Sequence, residues 1–553
     1  MRIYWTILTA LALAAPAHAQ KKPTSPAREA KPKLAVSIVV DQMRADYLSR
    51  FASLYTGGFK RLISEGQVFR NGHYTHSPTY TGPGHAVVYT GTDPSGNGII
   101  GNDWYDPALG RSVYCVEDLD VQPVGSTRES DKRSPKNIRS TTWTDELEWA
   151  SVGASKVFAF SLKDRGAITA AGHYGDAAFW MDDKVGFVTS THYASQLPAW
   201  IESFNRDHNP ASYLKGSWER LMAPSVYETF TGPDERPFEG KLRGSNSGKF
   251  PYDLAGLGAG NPGLIRYTPQ GNQILIDVAL AALDAENLGR GTHTDVLALS
   301  FSTPDHLGHL MGPRAQELMD VYLRLDLQLG QLFDELDRRL GRGNYYVSLT
   351  ADHGSCDNSN QAALDGFAVQ NWNSRELEEQ LGLLIAALKL DEPGVVYMGN
   401  DQIHLKSRDD DDWELVRDAI MQHPAVQMAW TADEVRSSCD PKVAMRRNAF
   451  DARSGQVFYE LKSGHMDYGE EGCTHGSGHS YDSHVPMVFM GPGIPANSDR
   501  WERVHPRDMA PTWSMILGIA LPSSTTGDPL PFTMGRYTKR SLGISQTEMG
   551  LIL

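Results

Sequence analysis

Asp41, Asp305, His309, Asp352, His353 and His475 are carboxylate and imidazole residues, several of them standing directly after apolar runs. Carboxylate oxygen and imidazole nitrogen together suit zinc and similar borderline cations, at about 2.0–2.2 Å. Asp305 and His309, in "DHLGH", are four apart and turn the same way if that stretch is helical. Asp352 and His353 are adjacent in "TADHG", and His475 lies in "CTHGSG", where small neighbours leave room. Three carboxylates and three imidazoles exceed what one tetrahedral zinc needs, so the set implies two ions. His306, His479 and His484 are not assigned as ligands.

A second stretch, "HSPTYTGPGHAVVYTG" from His76 to Gly91, places Thr79 and Thr81 ahead of Gly-Pro-Gly-His. Pro is favourable at a first helical position, where its missing N–H has no intrahelical partner. The pattern predicts a helix from about Pro83, with Thr81 at or near its N-cap. Free N–H groups and the positive dipole end there suit an anion such as phosphate. Thr81 either caps that helix or works on such an anion. An Asp at a strand end is likewise also a helix cap, and "DHG" is also a turn. The argument for chemistry is their joint occurrence.

Such residues must be brought together by something, and the apolar runs supply it. "LAVSIVVD" (Leu34–Asp41) reads as a buried parallel strand ending in a carboxylate. "KVFAFSLKDR" (Lys156–Arg165), "TDVLALSFSTPDHLGH" (Thr294–His309) and "NYYVSLTADHG" repeat the theme, and "VPMVFMGPGI" is a last core strand. Helical stretches lie between them, "GGFKRLISEGQ" and the amphipathic "ELMDVYLRLDLQLGQLFDELDRRLG". Strands alternating with helices predict an α/β fold, a mostly parallel central sheet with helices on both faces. Ligands in such sheets collect beyond the carboxyl ends of the strands. Two segments read as insertions, near 185–290 and 357–470. The second holds "VVYMGNDQIHL", "DDWELVRDAIMQHP" and "AVQMAWTADEV", a strand–helix–strand unit whose Asp409–Asp412 run is a solvated helix start.

The 553 residues are 40% hydrophobic and 22% charged, ordinary for a globular protein able to bury a large core. A formal net charge of −15 disfavours a nucleic-acid-binding surface. It does not exclude an anionic substrate, because bound cations reverse the local sign. "MRIYWTILTALALAAPAHAQ" has a basic start, an apolar stretch and Ala-His-Ala, which predicts a signal peptide over residues 1–19. Residues 20–33, basic and Pro-rich, read as a disordered lead-in. No later run is apolar enough to span a membrane, so the mature chain is expected in the periplasm or secreted. Cys115, Cys356, Cys439 and Cys473 form no Cys-x-x-Cys pair and open no Cys-x-Pro-x-Arg motif of the sulfatase kind.

Together these motifs resemble the alkaline phosphatase superfamily, and within it the bacterial phosphate-irrepressible alkaline phosphatases, kin of the nucleotide pyrophosphatase/phosphodiesterases. "VDQMRADY", "PTYTGPGHAVVYTGTDPSGNGIIGNDWYD", "SLKDR", "STPDHLGHLMGP", "YLRLDLQLGQLFDELD", "SLTADHG" and "THGSGHSYDSHVP" carry the resemblance, from Leu34 to about Ile494. It implies an alkaline phosphatase-like domain over 34–553 that hydrolyses small phosphate monoesters through a phosphothreonine. The nucleophile is the Thr of Thr-x-Pro-x-His, which is Thr81. Two zinc ions are implied, one on Asp305, His309 and His475, the other on Asp41, Thr81, Asp352 and His353. Asn102, Lys163, Arg165 and the backbone N–H after Thr81 are implied to grip phosphate oxygens. His85 is read as packing or support. Gly476-Ser477-Gly478-His479 departs from the family's usual Gly-Ser-Pro-Tyr.

Two rivals accompany this reading. A phosphodiesterase on the same scaffold would want an apolar pocket where Lys163 and Arg165 add charge. A catalytically silent metal-binding surface protein should have lost a ligand or the nucleophile, and none is lost. The pattern sets no oligomeric state. Cys356 and Cys473 flank ligand loops that two neighbouring ions would draw together, which favours a disulfide between them, with Cys115 and Cys439 left to pair if they lie near each other.

Overall fold

The computed structural model describes residues 32–372, 374–390 and 394–532. The expected signal peptide and all of the expected lead-in except Pro32 and Lys33 lie outside the described residues. Among the described residues no helix is long and apolar enough to cross a membrane.

A ten-stranded sheet runs through the molecule. Its middle is parallel, in the order Tyr345–Thr350, Leu34–Val40, Asp295–Phe301, Val157–Ser161, Ala177–Asp182. These strands are buried along their whole length, which accounts for their unbroken apolar sequences. Antiparallel strands flank both sides, His484–Met490 beside Tyr345–Thr350 and Gly186–Ser190 beside Ala177–Asp182. Large apolar clusters cover both faces of the sheet. The expected α/β architecture is the one observed.

The register of the parallel strands fixes where the polar residues arrive. Val40, Phe301 and Thr350 end neighbouring strands, and Val40 pairs with Phe301 while Val39 pairs with Thr350. Asp41, Asp305 and Asp352 therefore leave the sheet at one edge. Ser161, paired with Ser300, delivers Lys163 to the same place.

Helix Gln316–Leu340 follows the predicted amphipathic stretch. Its Asp326 carboxylate accepts from the amides of Thr56, Gly57, Phe59 and Lys60, capping helix Gly58–Glu65 from outside.

The 185–290 segment is more integrated than its composition suggested. Gly186–Ser190 is a strand of the main sheet, and Pro269–Ala285 is a helix whose Ile274, Leu275, Ile276, Val278 and Ala279 belong to the main core. Burial on several sides removed the one-sided periodicity that marks a surface helix. The 357–470 segment instead builds its own sheet, in the order Val395–Gly399, Gln402–Leu405, Val457–Leu461, Val426–Thr431. Helices Ser374–Ala386 and Asp410–Ile420 contribute to a separate apolar core there. "VVYMGNDQIHL" is thus a hairpin rather than one strand. Asp409 caps the second of these helices through the Asp411 amide, as the acidic run implied.

Candidate metal centre and active site

Thr81 opens helix Thr81–Thr90, with Tyr80 as the residue before it. The helix thus begins two residues earlier than the Pro83 start expected, and its first turn is held by the Gly84 amide on the Tyr80 carbonyl. Pro83 is tolerated because it still falls within the first turn. Gly84 is demanded by contact: a Cβ there would collide with the Asp352 backbone. The helix start is thereby pressed against the strand end carrying Asp352 and His353. Gly84→Ala is expected to cost about 1–3 kcal/mol through overpacking and to weaken metal retention. Chemical denaturation and metal content of the purified variant measure both.

The six carboxylate and imidazole residues converge. Ligand atoms of Asp41, Asp352 and His353 lie within 4.8 Å of one another, as do those of Asp305, His353 and His475. His353 stands between the two groups, its ring stacked on that of His475 at 3.4 Å. His309 Nε2 joins the second group, 3.2 Å from Asp305 Oδ1, as the i,i+4 spacing on helix Thr303–Met311 requires. Thr81 Oγ1 is 3.4 Å from both His353 Nε2 and Lys163 Nζ.

The donor set fits a metal cation on more than residue type. His309 Nδ1 bonds the Cys473 carbonyl at 2.8 Å, His475 Nδ1 the Thr79 carbonyl at 2.8 Å, and His353 Nδ1 the Gly354 carbonyl at 3.0 Å. A carbonyl only accepts, so each Nδ1 carries the proton. Burial lowers the pKa of His353 and of His475, which keeps both neutral. Their Nε2 lone pairs then face carboxylates, His353 at 3.4 Å from Asp41 Oδ1 and His475 at 3.6 Å from Asp305 Oδ1. Lone pair against carboxylate is repulsive unless a cation lies between, and carbonyl contacts of this kind on the far ring nitrogen orient metal-binding histidines. Asp41 Oδ1 is buried and accepts no hydrogen bond. Burial, reinforced by Asp305 and Asp352, raises the Asp41 pKa.

Lys163 lies between the two groups, with Nζ 2.6 Å from Asp41 Oδ2 and 2.5 Å from Asp305 Oδ2. Burial alone would depress its pKa, but Asp305 and Asp41 outweigh burial and raise it, so the ammonium is charged. Arg165, two residues on, donates from Nη1 to Tyr114 Oη at 3.0 Å, while its buried Nε has no hydrogen-bond partner.

Asn102 differs from expectation in one useful respect. The Gly82 amide, the N–H directly after Thr81, donates to Asn102 Oδ1 at 2.8 Å. That amide is therefore engaged with a side chain rather than left free for an anion, and Asn102 keeps its NH₂ as a further donor. His85 is a support, as expected. Its Nδ1 is 2.9 Å from the Thr81 carbonyl and 3.2 Å from Asp352 Oδ2, and its Nε2 is 2.8 Å from Ser300 Oγ.

Two supporting residues escaped the sequence reading. Gln42, at φ 63°, donates from its amide to Asp352 Oδ1 and from Nε2 to Asp305 Oδ1, tying one carboxylate of each group together. Asp482 Oδ2 accepts from the amides of Gly476 and Ser477 and from Ser477 Oγ, which fixes the turn after His475. The turn replacing the family's Gly-Ser-Pro-Tyr is thus held by a carboxylate. His479 and His484 point elsewhere, to the Leu461 and Arg70 carbonyls.

The expected disulfides are not formed. All four cysteines are free. Cys356 and Cys473 share a small cluster, but the first thiol donates to the Thr474 carbonyl and the second to the Gly308 carbonyl. Cys115 is buried beside the active-site helix and Cys439 is exposed.

A family model described as type I phosphodiesterase / nucleotide pyrophosphatase matches residues 35–482. The alkaline phosphatase PafA of Elizabethkingia meningoseptica is 39% identical over 92% of this chain and 95% of that protein. The alkaline phosphatase PhoV of Synechococcus elongatus is 38% identical over 92% of this chain and 96% of that protein. The crystal structure of PafA superposes with a TM-score of 0.86 over 90% of this chain and 98% of its own. Murine ectonucleotide pyrophosphatase/phosphodiesterase 5, at 15% identity and a TM-score of 0.52, shares the fold. With its threonine-led helix facing two carboxylate–imidazole groups, the chain belongs to the alkaline phosphatase superfamily, within the type I phosphodiesterase / nucleotide pyrophosphatase family and alongside the PafA and PhoV alkaline phosphatases.

Proposed function

We propose that this alkaline phosphatase hydrolyses phosphate monoesters with Thr81 as nucleophile and two zinc ions as cofactors. The observation that carries the reading is the position of Thr81 Oγ1, 3.4 Å from both His353 Nε2 and Lys163 Nζ at the start of a buried helix. Asp305, His309 and His475 would hold one ion, and Asp41, Asp352, His353 and Thr81 the other. Zinc bound there supplies Lewis acidity, making the threonine oxygen nucleophilic and accepting charge on the leaving oxygen.

The chain's own groups do the rest. Thr81 Oγ1 attacks phosphorus in line as the bond to the ester oxygen breaks, the Thr81 proton goes to the departing alcohol, and the phosphoryl group is left on threonine. Asn102 NH₂, Lys163 ammonium and Arg165 guanidinium are the donors for the nonbridging oxygens, charge-assisted in the latter two. Water then attacks phosphorus, the bond to Thr81 Oγ1 breaks, one proton of that water goes to Thr81, and inorganic phosphate leaves. His85 and Gln42 keep Asp352, Asp305 and the Thr81 carbonyl in register throughout.

The N-terminal twenty residues support export, so the mature enzyme acts outside the cytoplasm on small phosphate esters. Rates on a monoester and a diester of the same alcohol, with chelator and with zinc restored, test the reading. A diester preference would replace it with the phosphodiesterase alternative. Activity indifferent to the chelator would remove the cofactor assignment.

Metal content gives an independent check. Asp352→Ala and His475→Ala each remove a ligand from a different group, so each is expected to lower zinc from about two ions per chain to about one. Elemental analysis of active protein with one ion or none contradicts the assignment.

A further inference from the structure

We propose that Asn400, at the tip of the hairpin in the 357–470 segment, is a positioning residue for Asn102. The proposal rests on the reading of Asn102 as a phosphate donor. Gly399 pairs with Gln402, leaving Asn400 and Asp401 as a two-residue turn, both at positive φ (57° and 56°). Such turns favour Asn and Gly, because few other residues tolerate the left-handed region. The turn would form equally well with glycine, so the side chain of Asn400 calls for another account.

That account is its partner. Asn400 Nδ2 donates to the Asp103 carbonyl at 2.6 Å, one residue beyond Asn102. On the other side of Asn102 stands Gly101, where a Cβ would lie 2.9 Å from Asn400 Nδ2. The tip is thus seated against both neighbours of Asn102. Further contacts from the same segment fall on the same short stretch. Tyr397 Oη reaches Asp103 Oδ1 at 3.4 Å, and its ring stacks on Tyr105 at 5.6 Å. The Arg453 guanidinium lies 4.6 Å over Trp104 and donates to the Gly98 carbonyl.

The tip itself is anchored from behind. Asp401 Oδ2 accepts from Arg446 Nη2 at 2.8 Å, and Arg446 also donates to the Tyr459 carbonyl, although this arginine is only 1% exposed. A buried guanidinium is costly unless paired, and here its partner is the second residue of the turn. The consequence at the site is directional. Asn102 Oδ1 is held by the Gly82 amide and the Asn102 carbonyl by the Cys115 amide, while Asn400 fixes the following peptide. With the Asn102 and Asp103 carbonyls both held and Asn400 packed against Gly101, the Asn102 NH₂ is aimed rather than free to swing, which is the preorganisation that makes such donors effective.

The test is a double-mutant cycle in the full-length, zinc-loaded enzyme. Asn400→Gly keeps the turn and deletes only the donor. It is expected to lower kcat/KM for a phosphate monoester roughly 3- to 10-fold, the value of one hydrogen bond, and to weaken competitive inhibition by inorganic phosphate in parallel. In an Asn102→Ala background the same change is expected to have no further effect, because the group it positions is gone. An equal loss in both backgrounds, or no loss in either, overturns the positioning role. Asn102→Ala alone at the wild-type rate would overturn the phosphate grip itself, and the proposal with it.

Discussion

Thr81→Ala is expected to lower kcat/KM for a phosphate monoester by on the order of 10³–10⁴, the scale on which activated nucleophiles contribute. At about 1.4 kcal/mol per tenfold, that is roughly 4–5.5 kcal/mol of transition-state stabilisation. The fold should not share the loss. The hydroxyl's polar neighbours, His353 Nε2 and Lys163 Nζ, both stand at 3.4 Å, too long for strong hydrogen bonds. The helix start is held instead by the Gly84 amide on Tyr80 and by His85 on the Thr81 carbonyl, neither of which involves Oγ1. Melting of the variant should therefore match the parent while acid-quenched enzyme no longer carries phosphate from a labelled monoester. Thr81→Ser should regain much of the rate. Wild-type turnover by Thr81→Ala, or label trapped on a different residue, would remove Thr81 from the chemistry.

The residues that sequence made visible are those whose position follows from a strand end. Parallel strands in a doubly covered sheet must finish on one edge, so the sequence alone groups Asp41, Asp305 and Asp352. His309 followed from helical spacing, and the Thr-x-Pro-x-His text supplied Thr81 by resemblance. What stayed hidden depends on tertiary register. Gln42 looks like any polar residue after a strand, and only its left-handed backbone turns both its amide and its side chain onto the two carboxylates. Nothing in "TGPGH" says that the Gly82 amide is engaged by Asn102, twenty residues on. The disulfide expectation failed for a related reason. Proximity of two ligand loops does not set thiol direction, and nearby carbonyls claimed both sulfurs. Composition misled over Pro269–Ala285, because a helix buried on several sides shows no single apolar stripe.

Replacing Lys163 and Arg165 by alanine is expected to narrow the preference for monoesters over diesters. A monoester dianion carries one more charged nonbridging oxygen than a diester, so cations facing those oxygens act mainly on the monoester. Loss of a preorganised charged donor costs on the order of 10²–10³ in rate, and that loss should fall on the monoester kcat/KM. The two residues will not behave alike. Lys163 bridges Asp41 and Asp305, so its removal also leaves two buried carboxylates without their shared cation. Metal content must then be measured beside rate. Arg165 touches no carboxylate of either ligand group. It contacts Tyr114 Oη and neighbouring Asp164, and its Nε is buried without a hydrogen bond. Arg165→Ala is therefore the cleaner variant, with zinc expected unchanged and the monoester rate reduced more than the diester rate. An equal fall on both substrates with zinc intact would mean that Arg165 supports the Tyr114–Asp164 contact rather than the phosphoryl group. The charge argument for monoester selectivity would then fail at the residue best placed to carry it.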